Sequence, residues 1–362
     1  MTASNIDRLI RPEIRALGPY GVEGAAGMVK LDAMENPFSW PKHMCAGWLE
    51  SLAGVNVNRY PDPSATGVKE RLRAVLGLPD DRDLILGNGS DELIQIVVTA
   101  LSRQGGRVLT VTPSFVMYRR CAVAAGMPCD EIPLASGDFA LDRDAVLRVM
   151  KKTPPAVVFL AYPNNPTGNL FDDDAIAAVA EAAPCPVVID EAYQPFAARS
   201  WMERARRHDH ILVMRTLSKL GLAGLRLGYM LGSPAWIEQL EKIRLPYNVN
   251  VLTQHSAAFA LDHYDVFREQ ASLIREQRER LYRSMSALDG VRVWPSAANF
   301  LLFRSDLGAA RIFRALRQRG ILIKNLDTGA PAMRNCLRVT VGTPHENDLF
   351  FSALEAVLAD LR

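Results

Sequence analysis

The sequence predicts an α/β protein in which helices flank a parallel sheet, followed in the chain by a smaller α+β domain. The first observation is an alternation. Between about residues 46 and 255, short apolar runs such as VVFLAY, PVVID and ILVMRT are separated by longer stretches of helical character, the pattern that βαβ units produce. The second is a change of pattern after 255, where a long amphipathic helix, YDVFREQASLIREQRERLYRSMSAL, precedes strand-like pieces ANFLLFR, GILIK and CLRVTVG. The third is length: 362 residues exceed what one core usually serves, so two domains sharing a cleft are expected.

In chain order, residues 1–27 read as an N-terminal arm, since Ile6, Ile10, Ile14 and Leu17 sit at helical spacing until GPYGVEGAAG breaks the pattern. Residues 46–255 form the large domain; residues 28–45 and 256–362 form the small one. Apolar residues make up 49% and charged residues 23%, a balance that excludes a disordered chain. The net charge of +2 is too small to suggest nucleic acid or an anionic membrane, so the partner is expected to be a small molecule. Five cysteines without a CxxC pair fit a reducing cytoplasm. MTASNIDRLIRPEIRAL carries charge where a signal peptide would be apolar, and no apolar run approaches a membrane span. RARRHDH reads as a solvated loop, because His208 and His210 have no third ligand at zinc-like spacing; no metal is expected.

The chemistry gathers where apolar runs end. Ligands of an open parallel sheet bind outside the carboxyl ends of its strands. VVFLAY runs into PNNPTG (163–168), PVVID ends in Asp190 followed by Tyr193, and ILVMRTLS ends in Lys219. Taken singly, these read as a Pro/Asn/Gly turn, a helix cap and a surface lysine. Together they place an amide, a carboxylate, a phenol and an amine at one edge. Upstream, LILGNGSDELIQIVVTAL takes a strand through a glycine turn into a helix opened by Ser90, and a helix start suits a phosphate. Arg226, seven residues after Lys219, could supply a cation there. Gly221, Gly224 and Gly228 do not have dinucleotide-fingerprint spacing. Pyridoxal 5′-phosphate matches this set: an aldehyde for Lys219, a ring nitrogen for Asp190, a phenolic oxygen for the amide and phenol, and a phosphate for the helix start. Asp190 would keep the ring nitrogen protonated, and Lys219, once freed, would move the substrate's α-proton.

GNGSDE, YPNNPTG, VVIDEAY, TLSK with GLAGLRLGY, and CLRVTVG, with ENP (35–37), NRYPDP (58–63), PYNVN (246–250) and SAANF (296–300), resemble fold-type I pyridoxal-phosphate aminotransferases of the histidinol-phosphate type over nearly the whole chain. The resemblance implies a large domain built on a mixed, mostly parallel sheet. It implies Lys219, Asp190 and Tyr193 as catalytic residues, with Ser90, Asp91, Phe115, Asn165, Thr216, Ser218 and Arg226 around the cofactor. Tyr20, Asn36, Asn165, Lys324 and Arg338 would bind substrate. Tyr60 would enter the cofactor and substrate site from the other subunit of a homodimer.

The implied reaction is reversible exchange of an amino group between L-histidinol phosphate and 2-oxoglutarate, giving L-glutamate, in histidine biosynthesis. An aromatic amino acid aminotransferase and a phosphothreonine-type decarboxylase of the same fold are the enzymatic alternatives. A cofactor-sensing transcription regulator would need more than residues 1–27 as its DNA-binding part. The residues support the role of Arg338 independently: in CLRVTVG, Leu337, Val339 and Val341 share one strand face, which turns Arg338 to the other. Two departures concern the site. Phe115 stands where many members have tyrosine, and Lys324 where many have arginine, a point charge replacing a bidentate fork. The spacing from Lys219 to Arg226 is also one residue shorter than in relatives.

Overall fold

The computed structural model describes residues 3–19, 21, 23–327 and 329–362, and of residues 3–5 it describes only the backbone. Its strands are β1 (Val29–Lys30), β2 (Asp83–Gly87), β3 (Val108–Thr112), β4 (Cys129–Pro133), β5 (Val157–Ala161), β6 (Val187–Asp190), β7 (Ile211–Thr216), β8 (Gly228–Gly232), β9 (Val291–Val293), β10 (Phe300–Ser305), β11 (Ile321–Leu322), β12 (Lys324–Asn325) and β13 (Cys336–Thr340).

Seven of them form the main sheet in the order β2-β8-β7-β6-β5-β3-β4. Every pairing is parallel except those of β8, which runs antiparallel to both β2 and β7. Every residue of β5, β6 and β7 is buried, as expected of parallel strands covered by helices on both faces. The alternation of side chains divides the sheet between two cores. Val158, Leu160, Val187, Ile189 and Val213 face one. Val157, Phe159, Ala161, Val188, Leu212 and Met214 face the other. Asp190 follows Val188 by two residues and lies opposite Ala161 and Met214, so parity puts its side chain on the second face.

A four-stranded antiparallel sheet, β12-β13-β10-β9, and the short parallel pair β1-β11 carry the second half of the chain. Their core includes Leu301, Phe303, Leu337, Val339, Phe350 and Leu354. The 23-residue helix Tyr264–Ser286 joins the cores. Phe267 packs into the large one, Ile274 into a cluster with Tyr193 and Phe300, and Met285 into the small one. The sequence-read domain limits at 46 and 255 both fall inside helices, Lys42–Leu52 and Val251–Asp262. Met44, Ala257 and Ala260 of these helices pack on the large core, and a helix whose face is buried cannot be divided at its middle. The arm also differs from a continuous pattern: Pro12 opens a second short helix, Pro12–Arg15, after Ala3–Leu9. Arg11 holds the arm by donating to the carbonyls of Val123 and Ala124.

Beneath the carboxyl ends of β6 and β7 lies a buried ion pair. Glu191 accepts from Arg215 Nε at 2.9 Å, from Ser200 Oγ at 3.0 Å and from the Trp201 amide. Burial opposes the arginine's charge, but Tyr229 and Glu191 outweigh it and push its pKa up. Glu191→Ala would leave Arg215 buried without its countercharge, and removing one partner of such a pair costs about 3–5 kcal/mol. Urea unfolding should show the loss.

Candidate active site

The cleft at the strand ends encloses about 510 Å³ and is lined by residues of the main sheet, the small domain and the arm. Its centre is Lys219, which follows β7 in an irregular helical turn, Ser218–Leu222. Gly221 makes this turn possible at φ +126°, and a Cβ there would meet Asn36 Nδ2 at 2.9 Å. Lys219 Nζ donates to the carbonyl of Ala33 at 3.1 Å. The backbone that follows this carbonyl is fixed by two contacts: Met34 N–H donates to Thr340 Oγ1, and Asn299 donates to the Met34 carbonyl. Lys219 is reached from the cleft yet closely surrounded by protein. This desolvation, with the positive charge of Arg338, lowers its pKa to about 8, so the neutral amine is far more accessible near neutral pH than in an ordinary lysine.

Asp190 is buried. Its Oδ2 accepts from Tyr118 Oη at 2.7 Å and its Oδ1 from the Ala192 amide at 3.1 Å. Burial pushes its pKa up to about 6, and the Tyr118 and Ala192 donors oppose that rise.

Asn165 and Tyr193 converge as the motifs predict, with Asn165 Nδ2 donating to Tyr193 Oη at 3.1 Å. The other end of the same amide accepts from Arg338 Nη1 at 2.5 Å. Arg338 is buried, points into the cleft, donates to the Asp32 carbonyl at 3.1 Å and lies over the Phe300 ring. Lys324 lines the same cleft and is the direct cross-strand partner of Arg338.

The opposite end of the cleft is built from backbone. The helix Ser90–Ala100 starts after Gly89, whose φ is +82°, and no side chain caps it. The N–H groups of its first turn therefore have no partner within the helix. Ser90 opens the helix without capping it. Thr216 Oγ1 donates to Ser218 Oγ at 3.0 Å, Arg226 Nη1 to the same oxygen at 3.3 Å, and Arg226 pairs with Asp91 at 3.5 Å. Arg226 adopts the left-handed conformation at φ +51°, and its guanidinium lies at this end. Gly228, on β8, is paired with both Gly87 and Thr216. A Cβ on Gly228 would come within 2.5 Å of the Ser90 nitrogen, so only glycine lets β8 pass so close to the helix start.

Most sequence-predicted residues thus meet at one cleft: Ser90, Asp91, Phe115, Asn165, Asp190, Tyr193, Thr216, Ser218, Lys219, Arg226, Lys324 and Arg338 all line it. Three do not. The Asn36 amide donates to the Leu220 carbonyl and to Gln270, bracing the lysine turn from behind. Tyr60 is 81% exposed and stacks on Tyr247 at 4.4 Å, away from the cleft of its own chain. Tyr20 lies outside the described residues. Tyr118 and the Ala33 carbonyl escaped sequence reasoning. A tyrosine three residues after Phe115 on an amphipathic helix reads as core, and a backbone carbonyl has no sequence signal. His210 is spent on the Ala180 carbonyl. Among the described residues, no side-chain cluster could hold a metal ion and no helix is long and apolar enough to cross a membrane.

The site suits pyridoxal 5′-phosphate on its own geometry: a desolvated amine, a buried carboxylate, a paired amide and phenol, and an open helix start with a cation. The family model of aminotransferase class I and II matches residues 26–354, and the chain belongs to that family. It is 52% identical to histidinol-phosphate aminotransferase 2 of Nitrosococcus oceani over 98% of this chain and 99% of that protein. It is 49% identical to the histidinol-phosphate aminotransferase of Chromobacterium violaceum over 97% and 98%. It also superposes with a TM-score of 0.86 on the histidinol-phosphate aminotransferase of Sinorhizobium meliloti in complex with pyridoxal 5′-phosphate, at 26% identity and 98% coverage of both chains.

Gly228→Ala should displace the Ser90 amide while leaving Lys219 and Asp190 in place. Losing one charge-assisted hydrogen bond to a phosphate corresponds to roughly ten- to hundredfold weaker cofactor binding. Fluorescence titration of cofactor-free protein will measure it.

Proposed function

We propose that this class I and II aminotransferase catalyses the reversible exchange of an amino group between L-histidinol phosphate and 2-oxoglutarate in histidine biosynthesis. The reading is carried by identity near one half, over almost complete lengths, with relatives bearing that activity's name. The pairing of Lys324 with Arg338 in the cleft supports it, because phosphate-bearing and dicarboxylate substrates both need a cation there.

The cofactor is pyridoxal 5′-phosphate, which supplies an electron sink for the carbanion at the substrate's α-carbon. The helix start at Ser90 and Asp91, with Thr216, Ser218 and Arg226, holds its phosphate. Asp190 holds a proton at its ring nitrogen, and Asn165 with Tyr193 donate to its phenolic oxygen. Phe115 offers a ring for stacking without a hydroxyl. Lys219 would hold the aldehyde end of the cofactor through its amine, and that amine is the base that would take the proton from the substrate's α-carbon. The lowered pKa suits both tasks, since each needs the neutral amine. Arg338 orients the anionic end of the substrate, Lys324 assists, and Asn165 ties this end to the cofactor end.

The working unit is a homodimer in which Tyr60 completes the site of the other subunit. Its exposed ring, stacked on the partly exposed Tyr247 beside exposed Leu245 and Val57, supports this reading.

The substrate assignment is tested by side-by-side turnover of histidinol phosphate and phenylalanine with 2-oxoglutarate. A higher kcat/KM for histidinol phosphate is expected; the reverse order would make the chain an aromatic amino acid aminotransferase. Borohydride reduction of the loaded protein followed by peptide mapping should place the label on Lys219, and a label on another lysine would sink the assignment. Arg338→Ala should lower kcat/KM for histidinol phosphate roughly ten- to hundredfold with little change in cofactor affinity. For the dimer, chains carrying Lys219→Ala are mixed with chains carrying a Tyr60 substitution first shown to be severely impaired. If Tyr60 serves the other subunit, each mixed dimer has one intact site and recovers about half of wild-type activity. No recovery would return Tyr60 to its own chain.

A further inference from the structure

We propose that Tyr118 is a positioning residue for Asp190: its hydroxyl fixes the orientation of the carboxylate and favours its charged form. The proposal deepens the reading of Asp190 given above and rests on it for the link to the cofactor.

The geometry begins with strand parity. Phe159 and Ala161 on β5 face the same core as Val188 on β6, and Ala161 lies opposite Asp190. Tyr118, on the helix Met117–Ala124, is fully buried against this face and stacks on Phe159 at 4.9 Å with an interplanar angle of 11°. Phe115 meets the Tyr118 ring edge-on at 5.6 Å. The ring is thereby held over the sheet with its hydroxyl two residues further along, 2.7 Å from Asp190 Oδ2. The phenol stays protonated here, because burial and the nearby carboxylate push its own pKa well up, and so it donates to the ionised carboxylate. With Oδ1 engaged by the Ala192 amide, each carboxylate oxygen is pinned by one donor, and the group is prevented from rotating about its last bond.

Charge follows from the same contacts. The groups that act on Asp190 are Tyr118 from the helix Met117–Ala124, Asp91 from the helix Ser90–Ala100, and Glu191 beside it in sequence; Tyr193 acts on Tyr118 in turn. Burial, Asp91 and Glu191 all favour the neutral acid, and Arg215 compensates Glu191. Tyr118 and the Ala192 amide are the contacts that favour the carboxylate. A neutral acid could not hold a proton at a ring nitrogen by charge, so the tyrosine supports the task assigned to Asp190 by favouring the carboxylate.

The test uses cofactor-free protein, so that it does not depend on turnover. The folded chain holds the Asp190 proton up to about pH 6, against an ordinary value of 3.8. The folded state therefore binds more protons than the unfolded one between these values, and the group's contribution to stability falls as pH rises through them. Without the hydroxyl, the folded value rises further and the decline extends above pH 6. Thermal midpoints of wild type, Tyr118→Phe, Asp190→Asn and the double variant are compared at pH 5 and pH 8. The gap between wild type and Tyr118→Phe should be wider at pH 8 than at pH 5, and this widening should vanish in the Asp190→Asn background. A gap equal at both pH values, or one that widens equally without the carboxylate, overturns the proposal.

In the loaded enzyme, Tyr118→Phe should move the acidic limb of kcat/KM upward by about one to two pH units. A widened gap in cofactor-free protein together with normal cofactor affinity and turnover in Asp190→Asn would remove the role of Asp190 while leaving its coupling to Tyr118 intact. Should Tyr118→Phe fail to fold, the slowly exchanging hydroxyl proton of Tyr118 is followed by NMR in wild type. Its loss in Asp190→Asn supports the proposal, and an unmoved resonance overturns it.

Discussion

The burial of an amine and a carboxylate in one cleft is the constraint on which the rest of this structure depends. Desolvation works against both charges, lowering the proton affinity of Lys219 and raising that of Asp190. Each group is brought toward the pH range in which an enzyme must exchange protons, by an environment that would not tolerate either one unsupported. The scaffold supplies that support from separate quarters. Lys219 rests on the Ala33 carbonyl, which comes from the segment after β1, whereas Asp190 is gripped by Tyr118 and by its own Ala192 amide.

Supporting these groups requires a rigid sheet edge. β5, β6 and β7 are buried along their whole length, so their ends cannot shift without disturbing a core on each face. The ion pair of Glu191 with Arg215 joins β6 to β7 directly below the site, one residue beyond Asp190 and one before Thr216. The reversed strand β8 contributes in another way. Because it runs antiparallel, its first residue, Gly228, lies at the same edge as the last residues of β7 and β2. The absence of a side chain there lets the helix start at Ser90 close over the end of the cleft.

The two ends of the cleft communicate through one amide. Asn165 donates to Tyr193 on the side toward the sheet and accepts from Arg338 on the side toward the small domain. A side chain with one donor end and one acceptor end suits this position, since its NH2 group donates to the phenol's oxygen while its carbonyl accepts from the guanidinium, which an ammonium would repel. The amide thereby fixes the Tyr193 phenol and the Arg338 guanidinium relative to each other. The fold also places the cross-strand pair Lys324 and Arg338 at the far end from Arg226, so that positive charge brackets the cleft.

The sequence by itself determined the fold class and named most of the polar residues that line the cleft. The runs VVFLA, VVID and ILVMRT are rich in β-branched and other apolar residues up to their ends, a composition that suits a doubly covered parallel strand, and the polar residues at their ends meet at one edge. Glycine spacing after Gly87 and the switch to the helical pattern at Ser90 likewise announced an open helix start. Local sequence could not show which side chains would face each other across the fold. Tyr118 reaches Asp190 over 72 positions of chain, and Lys219 reaches the Ala33 carbonyl over 186. Both contacts follow from how helices pack on the sheet and how the segment after β1 crosses it. Asn36 shows the reverse case, a motif residue whose amide the tertiary structure directs to the back of the lysine turn. The helices that cross the domain limits were hidden for a similar reason: amphipathic periodicity marks a buried face and leaves unstated which core receives it. Strand ends and turn chemistry are local and were legible; the partners of buried polar groups are non-local, and only the packed chain decides them.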